Sequence, residues 1–229
     1  MVTQNVDTIR RRITAACARA GRDPQEITLV AVTKTVGSVL IAEALQAGIR
    51  DFGENFVQEV LKKREELHTE DIRWHFIGHL QSNKVRNIVQ WVHLVHSVDS
   101  LSLGVEISKR AAIAGRTAEI LVEVNSTGET TKFGVRPADL APFVGQLHRL
   151  PNVKIRGLMT VGPFLPDQES SRPSFRLMRT LGEKLGREGF PMPELSMGMT
   201  HDFEVAIEEG ATMIRIGTAI FGPRTKPRN

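Results

Sequence analysis

The chain has 229 residues, 41% hydrophobic and 24% charged, with 30 Lys and Arg against 26 Asp and Glu for a formal charge of +4. These are globular values that exclude a disordered chain, no apolar run approaches the 18 or so residues of a membrane span, and Met1-Val2-Thr3-Gln4-Asn5 opens no signal peptide. The small basic excess suits an anionic ligand, while scattered basic residues, short clusters at 10–12 and 224–228, and an aromatic set of ten Phe, two Trp and no Tyr argue against nucleic acid. The one cysteine, Cys17, forms no internal disulfide and fits a reducing cytoplasm.

Val6, Ile9, Ile13, Ala16, Cys17 and Ala20 recur at helical spacing over residues 3–21 and end at Gly21, which predicts a leading helix. Ile27 to Thr33 then runs apolar or β-branched up to Lys34, as a strand buried on both faces does. Ser38 offers a cap for a helix reaching Gly48. The short run from Ile49 to Gly53 breaks at Glu54-Asn55 and gives way to a charged amphipathic helix ending near Leu67. Strands follow at 72–78, 92–98, 118–125, 153–160, 194–199 and 212–217. Helices separate them at about 82–90, from Asp99 or Ser100 to Ala114, after Pro137, at 171–189, and from a Thr200 cap to Glu209.

Eight strand–helix units in 229 residues predict one α/β domain over residues 1–229, a (β/α)8 TIM barrel with an extra N-terminal helix. A doubly wound open sheet would want a Gly-rich fingerprint after the first strand, and Thr33-Lys34-Thr35-Val36-Gly37 is not one. In a barrel the chemistry sits at the carboxyl ends of the strands. That rim holds Lys34, Glu54 with Asn55, His79, Ser97 with Asp99, Asn125, Thr160, Ser196 with Thr200, and Arg215 with Gly217 and Thr218. Lys34, ending a buried strand, is a Schiff-base candidate, because burial lowers an amine's pKa and frees it to attack a carbonyl; the plain alternative is a solvated loop lysine. Gly198, Thr200 and the turn Gly217-Thr218-Ala219 offer amides and hydroxyls to a phosphate, or are ordinary turns. Arg215 alternates with Ile214 and Ile216 in a buried strand and needs either a ligand or a carboxylate such as Glu54 or Asp99. A lysine for an aldehyde, a phosphate cradle and an arginine near a ring nitrogen together suit pyridoxal phosphate.

Ala31-Val32-Thr33-Lys34-Thr35, Phe52-Gly53-Glu54-Asn55, His75-Phe76-Ile77-Gly78 with Leu80-Gln81-Ser82-Asn83-Lys84, Arg156-Gly157-Leu158-Met159, Leu195-Ser196-Met197-Gly198-Met199 and the run from Arg215 to Gly222 closely resemble the pyridoxal phosphate homeostasis protein family. That family resembles the barrel domain of alanine racemase standing alone. The resemblance implies pyridoxal 5'-phosphate (PLP) held as an internal aldimine on Lys34, Arg215 facing the pyridine nitrogen, and Ser196, Gly217 and Thr218 at the phosphate. It also implies Asn55 and Met159 lining the ring pocket. Phe56, His79 and Thr200 depart from the family's usual Tyr, Pro and Ser, and Thr200 keeps the hydroxyl that a phosphate contact requires.

An arginine keeps its proton, so a ring nitrogen facing one stays a poor electron sink. The two-base racemase design needs a tyrosine, and this chain has none. The expected function is therefore a cytoplasmic, monomeric PLP carrier for storage, buffering or delivery to PLP-dependent apo-enzymes, with little or no catalysis. A slow PLP-dependent racemase and a cofactor-free Schiff-base aldolase are the alternatives, separated by an amino-acid turnover assay and by colour. Metal and nucleotide readings are set aside: no H-E-x-x-H helix exists, His93 and His96 are expected on opposite faces of a strand, and Pro223 stands where a P-loop needs lysine. His75, His93 and His148 read as structural. Lys84 and Lys132 read as solvated loop lysines or as a second phosphate-ester contact.

Overall fold

In the computed structural model, which describes residues 1–163 and 165–223, the leading helix α1 (Val2–Ala20) buries Val6, Ile9, Ile13, Ala16 and Cys17 along one stripe. It stops at Gly21, whose φ of 65° needs no Cβ penalty. The basic cluster at 224–228 lies outside the described residues.

Eight parallel strands follow: β1 (Thr28–Val32), β2 (Asp51–Glu54), β3 (Arg73–Phe76), β4 (Leu94–Val98), β5 (Ala118–Glu123), β6 (Val153–Met159), β7 (Glu194–Ser196) and β8 (Met213–Ile216). Each pairs with the next, and β8 closes on β1 with Val30 opposite Arg215. Parallel neighbours need a long crossover. It is supplied in turn by α2 (Ser38–Gln46), α3 (Val57–Leu67), α4 (Val85–Ile88), α5 (Leu101–Ile113), α6 (Leu140–His148), α7 (Arg172–Arg187) and α8 (Phe203–Glu208), and α9 (Thr218–Phe221) follows β8. This is the (β/α)8 barrel expected. Most of the core lies between strands and helices, and a small inner cluster of Leu94, Leu121, Met159 and Met213 fills the barrel itself.

Several strands are shorter than expected, β7 ending at Ser196 rather than Met199, and three helix boundaries also differ. The helix expected at 82–90 is a 3₁₀ turn at Ser82–Lys84 and the single turn α4. Gly37, not Ser38, occupies the N-cap of α2, and the Ser38 hydroxyl donates to Glu66 on α3 instead. Thr200 does not cap α8: Asp202 takes that position, because its carboxylate accepts from Met199 N–H at 2.7 Å and from Ser171 Oγ at 2.9 Å and so holds residues 200–202 in a turn. Among the described residues no helix is long and apolar enough to cross a membrane.

Candidate functional site

Lys34 follows β1 in a turn, half-buried, between two threonines that α3 holds in place. On one side, buried Thr33 donates from Oγ1 to Glu54 Oε2 at 2.9 Å, while its carbonyl accepts from Lys63 Nζ at 2.7 Å. On the other, Thr35 has a left-handed φ of 63°, an outlier for a β-branched residue, and its N–H donates to Glu59 Oε2 at 2.9 Å. Lys63 joins the two sides by donating to Glu54 at 2.6 Å and Glu59 at 2.7 Å. Burial alone would raise the Glu59 pKa, but the hydrogen bonds from Lys63 and Thr35 N–H hold it below the ordinary value. Glu54 Oε1 also accepts from Asn55 N–H at 2.7 Å, so one buried carboxylate fixes the backbone beside two expected site residues.

Glu54 therefore points outward toward α3 and is not the partner of Arg215. Nor is Asp99, which stands 3.6 Å from His79 Nδ1. Arg215, 5% exposed, donates from Nη1 to Ser196 Oγ at 2.6 Å and from Nη2 to the Thr160 carbonyl at 2.7 Å. Among the described residues it hydrogen-bonds no carboxylate. Burial pulls its pKa down to about 10, opposed by the charges of Glu123 and Asp202, so it remains a cation at neutral pH. Glu123, at the end of β5, is pushed up to about 7 by burial and by the charge of Asp99, with Arg215 opposing.

The β7 and β8 exits meet above Arg215. Arg215 N–H donates to Gly198 O at 3.0 Å. Gly198 has φ of 92°, and a Cβ there would stand 2.6 Å from Ala206 Cβ and 2.9 Å from Phe203 Cα, so only glycine permits the approach. Thr218 Oγ1 lies 3.3 Å from Thr200 Oγ1, bringing two hydroxyls to the mouth beside Gly217. Ser196 is not with them: it is fully buried, with its hydroxyl engaged by Arg215 and by His96 Nδ1 at 3.0 Å.

Asn55 sits at the β2 exit with its Oδ1 buried and without a hydrogen-bond partner among the described residues. Gly78 lets the β3 exit pass so close that a Cβ there would come 2.2 Å from the Asn55 carbonyl. Met159 is 1% exposed and belongs to the inner apolar cluster. Lys132 donates to Glu129 and to the Gly162 carbonyl beside a cavity of about 220 Å³ that Glu123, Asn125 and Phe133 also line.

Sequence reasoning missed Lys63 and Glu59, which read as charges on a solvated helix face. Their spacing of four was visible, but not that this face turns toward Thr33. It also set His75 and His96 aside, although their rings meet at 2.9 Å inside the barrel. His93 precedes β4, so strand alternation does not govern it, and both its ring and that of His96 stand edge-on to His75, with centroids 5.2 and 5.1 Å away.

Residues 4–225 match the family described as alanine racemase, N-terminal domain. The pyridoxal phosphate homeostasis protein of Aquifex aeolicus is 48% identical over 222 residues, covering 96% of this chain and 97% of that protein. Its counterpart in Pseudomonas aeruginosa is 40% identical over 223 residues, covering 97% and 96%. Among solved structures, PipY of Synechococcus elongatus PCC7942 with PLP bound superposes with a TM-score of 0.85 at 35% identity, covering 97% of this chain and 100% of that one. With near-complete coverage at this identity, the chain belongs to the pyridoxal phosphate homeostasis protein family, built on the alanine racemase N-terminal domain.

Proposed function

We propose that this protein binds PLP at the carboxyl end of its barrel through Lys34 and stores, buffers or delivers it in the cytoplasm to PLP-dependent apo-enzymes, with little or no turnover. The observation that carries the reading is Arg215: a buried cation that among the described residues hydrogen-bonds only neutral acceptors, on the strand that pairs with the one leading to Lys34. The rest of the mouth fits the same group. The orphaned Asn55 Oδ1 has hydrogen-bonding capacity for a ring hydroxyl, and Thr200 and Thr218 present paired hydroxyls, with the turn at Gly217, to a phosphate. The names of the relatives and the PLP in PipY support it.

PLP supplies an aldehyde that condenses with amines. Lys34 is the amine on this chain, held by the flanking Thr33 and Thr35 anchors. Arg215 would hold the pyridine side of the cofactor as a donor and keep its own proton, which would withhold the electron sink that amino-acid chemistry needs. Met159, buried in the inner cluster, would supply an apolar wall to the ring. Ser196, expected at the phosphate, is assigned to the support of Arg215, since its hydroxyl is committed there.

A second reading, slow PLP-dependent proton transfer, draws on Glu123, a buried carboxyl pushed up to about 7 near Arg215. Amino-acid turnover by the purified protein, lost in Glu123→Gln, would favour it over the carrier.

The direct test is the visible spectrum of purified protein, followed by borohydride reduction and peptide mapping. A yellow protein with the pyridoxyl group on Lys34 is expected; a colourless protein that takes up no added PLP overturns the reading. Thr200→Val and Thr218→Val are each expected to weaken PLP binding about tenfold to a hundredfold, the loss of one hydrogen bond to a charged group, with Lys34 still modified. Equilibrium dialysis reads this directly, and unchanged affinity in both variants would move the phosphate elsewhere.

A further inference from the structure

A line of hydrogen bonds crosses the barrel interior from its amino-terminal mouth to Arg215. Arg73 Nε and Nη2 donate to the two oxygens of Asp51 at 2.8 and 2.6 Å. Asp51 Oδ1 lies 3.0 Å from His75 Nε2, His75 Nδ1 lies 2.9 Å from His96 Nε2, and His96 Nδ1 lies 3.0 Å from Ser196 Oγ, which accepts from Arg215. His75, His96 and Ser196 are at most 1% exposed. Asp51 and Arg73 line a cavity of about 500 Å³ at the amino-terminal mouth, so only that end of the line meets solvent away from the proposed cofactor site.

The direction of every proton in this line follows from its two ends. Burial alone would raise the Asp51 pKa, but hydrogen bonds from Arg73 and His75 hold it well below the usual carboxylate range, so it only accepts. His75 must then donate from Nε2. Arg215 only donates, so Ser196 Oγ must accept from it. A neutral imidazole has one N–H. With His75 Nε2 committed to Asp51, its Nδ1 accepts, His96 donates from Nε2, and His96 Nδ1 accepts the Ser196 hydroxyl proton. A cationic His75 would reverse the inner half of the line and leave the Ser196 proton with no acceptor among the described residues. Burial also keeps His96 neutral, drawing its pKa well below the ordinary value, with the charge of Arg215 acting the same way.

We propose that Asp51, His75 and His96 are positioning residues for Arg215: through a single neutral tautomer chain they hold Ser196 as an acceptor toward the guanidinium and so fix the donor offered to the ring nitrogen. The consequence for PLP rests on the proposed function; the tautomers do not.

Two-bond ¹H–¹⁵N correlation spectra of the full chain without PLP, assigned with His75→Gln and His96→Gln, test the first part at pH 7.5. Both rings are expected neutral with the proton on Nε2, and a cationic ring or an Nδ1 proton on either overturns the proposal. Asp51→Leu is expected to change the His96 nitrogen shifts although the two side chains do not touch, and Asp51→Glu to restore them. A change in Asp51→Leu confined to His75 overturns the relay. With PLP added, Asp51→Leu and His96→Phe are expected to weaken binding about threefold to tenfold and to shift the visible band, with Lys34 still the modified residue. Parent-like affinity and spectrum in both variants would refute the positioning role. A parent protein that binds no PLP refutes the proposed function and leaves the tautomer result to decide the relay.

Discussion

Lys63→Met is expected to lower the free energy of unfolding by about 3–5 kcal/mol, the usual penalty for removing one partner of a buried ion pair. Lys63 and Glu54 have side chains only 7% and 0% exposed, and their contact at 2.6 Å joins the Thr33 carbonyl, the Thr33 hydroxyl and Glu59 in one cluster. Without the ammonium, Glu54 is left as an uncompensated buried charge and the Thr33 carbonyl as a buried acceptor short of its donor. A urea titration would read the loss as a lower midpoint at unchanged slope. The double variant Glu54→Met/Lys63→Met recovers much of it, because no charge is then stranded. A single-variant loss below about 1 kcal/mol would mean that water or another group already satisfies Glu54, and the account of how Lys34 is held would fail with it.

Glu123→Gln is expected to be more stable than the parent by about 3 kcal/mol at pH 8 and equal to it at pH 4. The sign follows from the raised pKa. Between the ordinary 4.5 and the folded value of about 7, the unfolded chain releases the proton while the folded chain keeps it, so stability present below pH 4.5 is lost as pH rises toward 7 and levels off above. Glutamine is neutral in both states and loses nothing over that window. Thermal melts of the two proteins across pH 4–8 measure the divergence. A difference that does not change with pH would show that Glu123 titrates normally, and the slow-catalysis reading would lose its acid.

Strand-end logic reached much of the candidate site because it needs only local pattern. Ile27 to Thr33 is apolar up to Lys34, and Arg215 interrupts an isoleucine pair, so both residues declared themselves along the chain. Thr200 and Thr218 followed from turn composition. The Thr200 cap failed because Asp202, two residues on, has two oxygens to tie the turn. Ser196 shows the limit most clearly: its place in a glycine-bearing strand exit is legible, but whether its hydroxyl faces the mouth or the barrel interior depends on a histidine 100 residues away.

The sequence by itself determined the barrel, since eight alternating units of two hydrophobic periods have few other ways to bury both strand faces. It also determined that a lysine and an arginine stand at the carboxyl rim. Only the tertiary structure decided what holds them. Closure of β8 on β1 sets Arg215 opposite Val30, inter-strand register turns His75 and His96 toward one another, and the docking of α3 brings Lys63 onto Thr33. The last two contacts join residues 21 and 30 apart, and in them buried polar groups satisfy one another. Such pairing leaves no periodic trace in the sequence, because it is set by where the closed sheet places each side chain.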